Sequence, residues 1–131
     1  MPDAPATSPM MTKAGLALSG LASLVLLGSG GAKLAGVADV QKVIVDTLGY
    51  PAGTPMLLGV LEVGSVVLYL VPRTATLGAI LLTGYLGGAI SAHVRAADGQ
   101  WPTPLMLGLL VWAGLALRDG RFRELLPLRK G

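Results

Sequence analysis

Charged residues divide the chain into four apolar blocks. Ala14–Ala32 runs without a charge between Lys13 and Lys33, and Thr74–Val94 does so between Arg73 and Arg95. Pro55–Pro72 holds one charge, Glu62, and Gly99–Leu117 is uncharged between Asp98 and Arg118, with Pro102 and Pro104 suited to a first helical turn. A bilayer core about 30 Å thick takes roughly 17–25 apolar residues of helix, and every block meets that length. The pattern therefore predicts an all-α fold: a four-helix transmembrane bundle with spans at about 14–36, 55–72, 74–94 and 102–118.

The stretches between the blocks have patterns of their own. From Gly36 to Pro51, Val37, Val40, Val43, Ile44 and Leu48 recur at helical spacing, while Asp39, Gln41, Lys42 and Asp46 fall largely on the other side. That predicts a short amphipathic helix in the interface between spans 1 and 2, stopped by Gly49 and Pro51. Residues 1–12, with Pro2, Pro5 and Pro9, read as a disordered tail, and residues 119–131 as a basic cytoplasmic tail. The membrane domain is then 13–118. The first block also fits a secretory signal peptide, with Lys13 as its basic region and Ala32 at a small-residue cleavage site.

Charge decides the orientation. Lys13, Arg73, Arg118, Arg121, Arg123, Arg129 and Lys130 flank one side of the expected bundle, and only Lys33, Lys42 and Arg95 flank the other. The basic excess stays inside, so both termini are expected in the cytoplasm. The same placement argues against nucleic acid as a partner, because the ten basic residues flank apolar runs and do not gather on one face. Composition agrees: 53% of residues are hydrophobic, 13% charged, and mean hydropathy is +0.69. A soluble domain carries about a quarter charged residues. With no cysteine, the chain has no thiol chemistry, zinc–thiolate site or iron–sulfur ligand of its own.

Candidate chemistry begins with charges inside the apolar blocks, which are expensive and usually face a partner or a cavity. Glu62 lies about 10 Å below the outer boundary at 1.5 Å per residue. Lys33 sits near the outer end of the first span and can snorkel outward or turn toward Glu62. Glu62, Ser65 and Tyr69 share one helical face, as do Tyr85, Ala89 and His93, and Ser29 stands one turn from Lys33. These stripes can converge on an outer-half pocket made of Lys33, Glu62, Tyr85 and His93. Gly84 and Gly88 have the spacing of a helix-packing motif. Trp101 and Tyr50 fit the outer aromatic belt, whereas Trp112 lies mid-span. One His and one Glu do not make a metal site.

Ser29-Gly-Gly-Ala-Lys33-Leu34, Leu48-Gly-Tyr-Pro51, Leu58-Gly-Val-Leu-Glu62-Val-Gly64, Val71-Pro-Arg73, Gly84-Tyr-Leu-Gly-Gly-Ala-Ile-Ser-Ala-His93-Val-Arg95 and Trp112 to Asp119 stand in order along the chain. In this the sequence resembles the DoxX family, specifically its short DoxX-like members, over roughly Lys13 to Arg129. The resemblance implies a four-helix bacterial inner-membrane protein with Lys33 and Glu62 at family-pattern positions. It also implies association with quinone-coupled oxidoreductases such as thiosulfate:quinone oxidoreductase. The expected function is that of a small membrane subunit binding a quinone or isoprenoid lipid and supporting an oxidoreductase partner. A non-catalytic scaffold or homo-oligomer, a small transporter, and a membrane enzyme using Glu62 or Lys33 as general base are the alternatives.

Overall fold

A computed structural model of the chain describes residues 7–125, and within them every regular element is helical. The first helix, α1, spans Pro9–Ala35. Its start has a local cause: Ser8 Oγ accepts the Met11 N–H at 3.1 Å, and Pro9 takes the first helical position, where no N–H is needed. Residues 9–12, expected in a disordered tail, are thus helical, and 1–6 lie outside the described residues. Gly36 ends α1 in the left-handed region (φ 70°), and the Val37 N–H returns to the Ala32 carbonyl at 3.1 Å.

The amphipathic segment is α2, Ala38–Lys42, continued by a π turn over Val43–Thr47. Its apolar side holds Ile44 and Leu48 buried, while Val37 and Val43 stay exposed. Then follow α3 (Thr54–Leu70), a 3₁₀ turn at Pro72–Thr74, α4 (Ala75–Ala96), α5 (Pro102–Arg118) and α6 (Gly120–Leu125).

Around the bundle, α1 packs on α3 and α5, and α4 closes the ring against the same two helices. Leu26, Val66, Leu82, Leu86, Val111 and Leu115 fill the centre. Small residues set how closely the helices approach. A Cβ on Gly114 would strike Ser19 Oγ and lie 2.8 Å from the Ser19 nitrogen; one on Gly15 would lie 2.6 Å from the Arg118 nitrogen. These contacts make the α1–α5 seam. One on Gly30 would lie 2.7 Å from Val63 Cγ2, and Gly59 meets the Gly30 carbonyl and Leu34 at 3.0 Å, which makes the α1–α3 seam. Gly78 packs against the Tyr69 backbone. Gly84 and Gly88 do not act as the expected packing motif, since nothing lies within 4 Å of a Cβ at either. They face open space instead.

Three polar ties reinforce the end formed by Gly15, Tyr69 and Arg118. Tyr69 is fully buried and donates to the Val111 carbonyl at 2.7 Å, so its oxygen accepts from Ser19 Oγ at 2.8 Å. Arg118 donates to the Tyr69 carbonyl at 2.9 Å and lies 4.7 Å over its ring. Trp112 packs between helices, its Nε1 donating to Thr83 Oγ1 on α4 at 2.7 Å. Within the segment expected as a basic cytoplasmic tail, residues 119–125 fold back on the bundle. Phe122 is buried against Trp112 at 5.2 Å, and Arg123 donates to the Ala116 carbonyl and to Thr7. Residues 126–131 of that segment lie outside the described residues.

The outer surface is apolar on every long helix: Leu24 is 72% exposed, Val60 56%, Ile80 55% and Leu109 57%. Two helical stretches, Pro9–Ala35 and Pro72–Ala96, are long and apolar enough to cross a membrane; Thr54–Leu70 and Pro102–Arg118 are apolar but shorter.

Alanine at these glycines should have opposite effects on the two classes. Gly→Ala inside a helix ordinarily stabilises by about 0.5–1 kcal/mol. At Gly84, where space is open, that gain is expected; at Gly114, overpacking of about 1–3 kcal/mol should outweigh it. Thermal unfolding of the two variants in detergent checks this, and equal shifts would refute the α1–α5 seam.

Candidate functional site

The α1–α3 seam also builds the site. Because Gly30 has no side chain, α3 comes near enough that a Cβ there would lie 3.4 Å from Glu62 Cγ. Lys33, one turn on, then reaches the carboxylate: Nζ lies 2.6 Å from Glu62 Oε2. Glu62 is 1% exposed. Lys33 also donates to Ser29 Oγ at 2.6 Å, the partner one turn behind it on α1. From α4, Tyr85 Oη donates to the same Oε2 at 2.8 Å, and Lys33 Nζ stands 5.9 Å from the centre of its ring. Three helices thus converge on one carboxylate oxygen. The geometry brings together Lys33, Glu62 and Tyr85, three of the four candidate residues.

His93, the fourth, has a different partner. Its Nδ1 lies 2.6 Å from Asp98 Oδ2, just beyond the end of α4. The Gln100 backbone N–H donates to Asp98 Oδ1 at 3.0 Å. That bond first, and His93 second, hold the Asp98 carboxyl below its ordinary value. An ionised Asp98 keeps the proton on Nδ1 and leaves Nε2 as the free nitrogen.

Two cavities adjoin the cluster. The larger, about 800 Å³, lies between α3 and α4. It is walled by Val40, Val43, Ile44 and Leu48 of the α2 segment, by Gly84 and Gly88, and by Lys33, Tyr85 and His93 at its polar end. Leu61 and Leu81, 49% and 44% exposed, also line it, so it opens on the apolar flank of the bundle. Arg95 braces its roof by donating to the Leu48 carbonyl at 2.5 Å, which ties the π turn to α4. The smaller, about 230 Å³, lies behind Tyr85 and is lined by Glu62, Gln100, Thr103 and Leu107. Ser29, Lys33, Tyr85, Ala89 and His93 line both.

Comparison with known proteins bears on what this arrangement is. The sequence model of the DoxX-like family matches residues 17–114, which contain the cluster and both cavities. The chain belongs to the DoxX-like family. Membership makes it a membrane protein, in keeping with the apolar flanks of its helices. No curated protein and no solved structure matches this DoxX-like chain.

Sequence reasoning passed over Asp98 and Arg95 as span boundaries. A signal for Asp98 was present: a left-handed turn over Ala97 and Gly99 (φ 53° and 77°) returns the chain so that an acid five residues after His93 can meet it. The Arg95–Leu48 bond joins residues far apart in sequence, and no local pattern announces it.

Two outcomes test this geometry. Removing one member of a buried pair leaves an uncompensated charge and typically costs about 3–5 kcal/mol, whereas replacing both can be nearly neutral. Lys33→Met and Glu62→Gln should each lower thermal stability in detergent, and the double variant should recover part of the loss; simple additivity would mean no pairing. At the loop, the folded-state value of Asp98 lies below its unfolded value. Its contribution is therefore complete above the ordinary carboxylate range and is lost as pH falls through the lowered value. The Gln100 amide NMR signal should accordingly hold through the ordinary carboxylate range and move only below it.

Proposed function

We propose that this DoxX-like protein crosses a bacterial inner membrane four times, with both termini in the cytoplasm, and that its larger cavity binds the polar head of a lipid-soluble ligand of the quinone or isoprenoid class. The observation that carries this reading is the form of the cavity: an apolar chamber of about 800 Å³, open on the apolar flank, with its polar groups at one end. A small-molecule site usually has this form, mostly apolar walls with a few placed polar groups that orient the ligand. An isoprenoid tail would pass between Leu61 and Leu81 along the surface left bare by Gly84 and Gly88. Lys33 has bonds to Glu62 and Ser29 and a third ammonium proton for the ligand. With no cysteine in the chain, thiol or iron–sulfur electron transfer would belong to an oxidoreductase partner.

The four-span reading places the α1–α3 and α4–α5 connections outside and α6 inside, in line with the basic residues Arg118, Arg121 and Arg123. Single cysteines at Ala52, Gln100 and Glu124 test it against a background free of native thiols. An impermeant thiol reagent on intact cells should modify the first two and spare Glu124→Cys; the reverse pattern would sink the topology.

Ligand identity is best tested by extracting the protein gently and identifying co-purified lipid by mass spectrometry, followed by affinity measurements with a short-chain quinone analogue. Lys33→Met combined with Glu62→Gln, the double change expected to keep the bundle folded, removes the ammonium proton at the head-group end and should weaken binding by about 1–3 kcal/mol, roughly five-fold or more. His93→Ala should weaken it less, because His93 lies farther along the wall and is held by Asp98. A folded sample that binds no such ligand would reassign Lys33 and Glu62 to helix packing alone.

A further inference from the structure

The direction of one hydrogen bond narrows the ligand class. Tyr85 carries a single hydroxyl proton, and in the structure it is given to Glu62 Oε2 at 2.8 Å. Glu62, facing the Lys33 ammonium at 2.6 Å, is an acceptor here. Toward the larger cavity, Tyr85 therefore presents lone pairs and no proton. A head group that only accepts, such as a carbonyl, finds donors at this end, the third N–H of Lys33 and the hydroxyl of Ser29, but leaves the Tyr85 oxygen unmatched. A head group bearing a hydroxyl finds both kinds of partner: its O–H donates to Tyr85 Oη while its oxygen accepts from Lys33.

We infer that the larger cavity selects hydroxyl-bearing aromatic ligands, of the phenol or hydroquinone class, and that Glu62 takes up the hydroxyl proton through Tyr85 and passes it to water by way of the smaller cavity. This rests on the reading of the larger cavity as a ligand site. The transfer balances. The ligand O–H bond breaks and its proton moves to Tyr85 Oη, as the Tyr85 proton moves to Glu62 Oε2. The ligand is left as a phenolate beside the Lys33 ammonium, and the negative charge of Glu62 is neutralised. The cluster starts with one carboxylate and one ammonium and, with the proton on Glu62, holds one phenolate and one ammonium, so this step creates no net charge inside the apolar bundle. Release of the proton to water restores the Glu62 carboxylate and leaves one net negative charge on the cluster, beside the Lys33 ammonium.

The two cavities are placed for such a path. Glu62 lines the smaller one, and Tyr85 stands between Glu62 and the larger. The smaller cavity reaches Gln100 and Thr103, which are exposed at the α4–α5 connection. His93 lines it as well, and with Nδ1 bonded to Asp98 its Nε2 is the nitrogen able to accept a proton on the way out. The titratable groups around Glu62 are then Lys33 from α1 and Tyr85 and His93 from α4. Asp39 and Tyr50 lie across the larger cavity, and α5 contributes no titratable group to the smaller one.

The test uses two probes on the purified full chain: an alkyl-substituted 4-nitrophenol, whose phenolate absorbs visibly, and its methyl ether, which has the same shape but no proton. The expected result is that both bind, the phenol about ten-fold more tightly, as one charge-assisted hydrogen bond allows. The bound phenol should ionise at least one pH unit below its value in detergent alone. Tyr85→Phe, which keeps the Lys33–Glu62 pair, should bind the ether as before and lose both effects. Water access is read separately: a small charged thiol reagent should modify Leu107→Cys in the smaller cavity and spare Leu109→Cys on the outer surface. Equal affinity for phenol and ether would overturn the selection, and an unshifted ionisation would overturn the proton transfer, with the cavity reading left standing in both cases. Failure of Leu107→Cys to react would overturn the exit route. Binding of neither probe to a folded sample would overturn the cavity reading itself.

Discussion

A carboxylate buried in an apolar bundle must be given donors by its neighbours, and much of this molecule is arranged by that demand. Glu62 stands on the inward face of α3, where an unpaired charge would cost several kcal/mol. Lys33 of α1 and Tyr85 of α4 meet it at one oxygen. The pairing is possible because Gly30 and Gly59 let α1 and α3 approach almost backbone to backbone at that height. The sequence feature, two glycines, sets a packing distance; the packing distance sets an ion pair; and the ion pair fixes how three helices stand around the two cavities.

The two ends of the bundle are built differently. At the end holding Gly15, Tyr69, Gly78 and Gly114, small residues are consumed in close contact, and Tyr69 and Arg118 tie α1, α3 and α5 by hydrogen bonds. At the other end, the α1–α3 seam is tight. Between α3 and α4 the glycines at 84 and 88 face open space, and the α2 segment lies across the gap, held by Arg95. The bundle is thus closely packed at one end and open on its flank at the other.

The polar groups around the opening also divide by role. Lys33 and Glu62 balance one another's charge, Tyr85 separates the two cavities with its single proton turned toward Glu62, and Asp98 orients His93 at the loop. Position alone does not reveal this. Tyr85 as a residue type is both donor and acceptor, and only the occupancy of its proton says which it offers to the cavity.

What the sequence by itself determined is whatever depends on composition and short spacing. Long uncharged blocks dictate apolar helices. Proline at the first turns and Gly36 and Gly49 at left-handed positions dictate where several of them begin and end. The rarity of charge within the blocks singles out Glu62 and Lys33. The N-terminus of α1 was legible too, in Ser8 followed by Pro9, but three prolines in a short stretch outweighed it. What only the tertiary structure decided is everything that joins distant residues. Which glycines pack and which line a cavity depends on the azimuth of each helix against its neighbours, so Gly84 and Gly88 look like Gly15 or Gly114 in one dimension. The folding back of Phe122 onto Trp112 and the bond from Arg95 to Leu48 have the same cause. Helical periodicity says which residues share a face; it does not say which other face they meet.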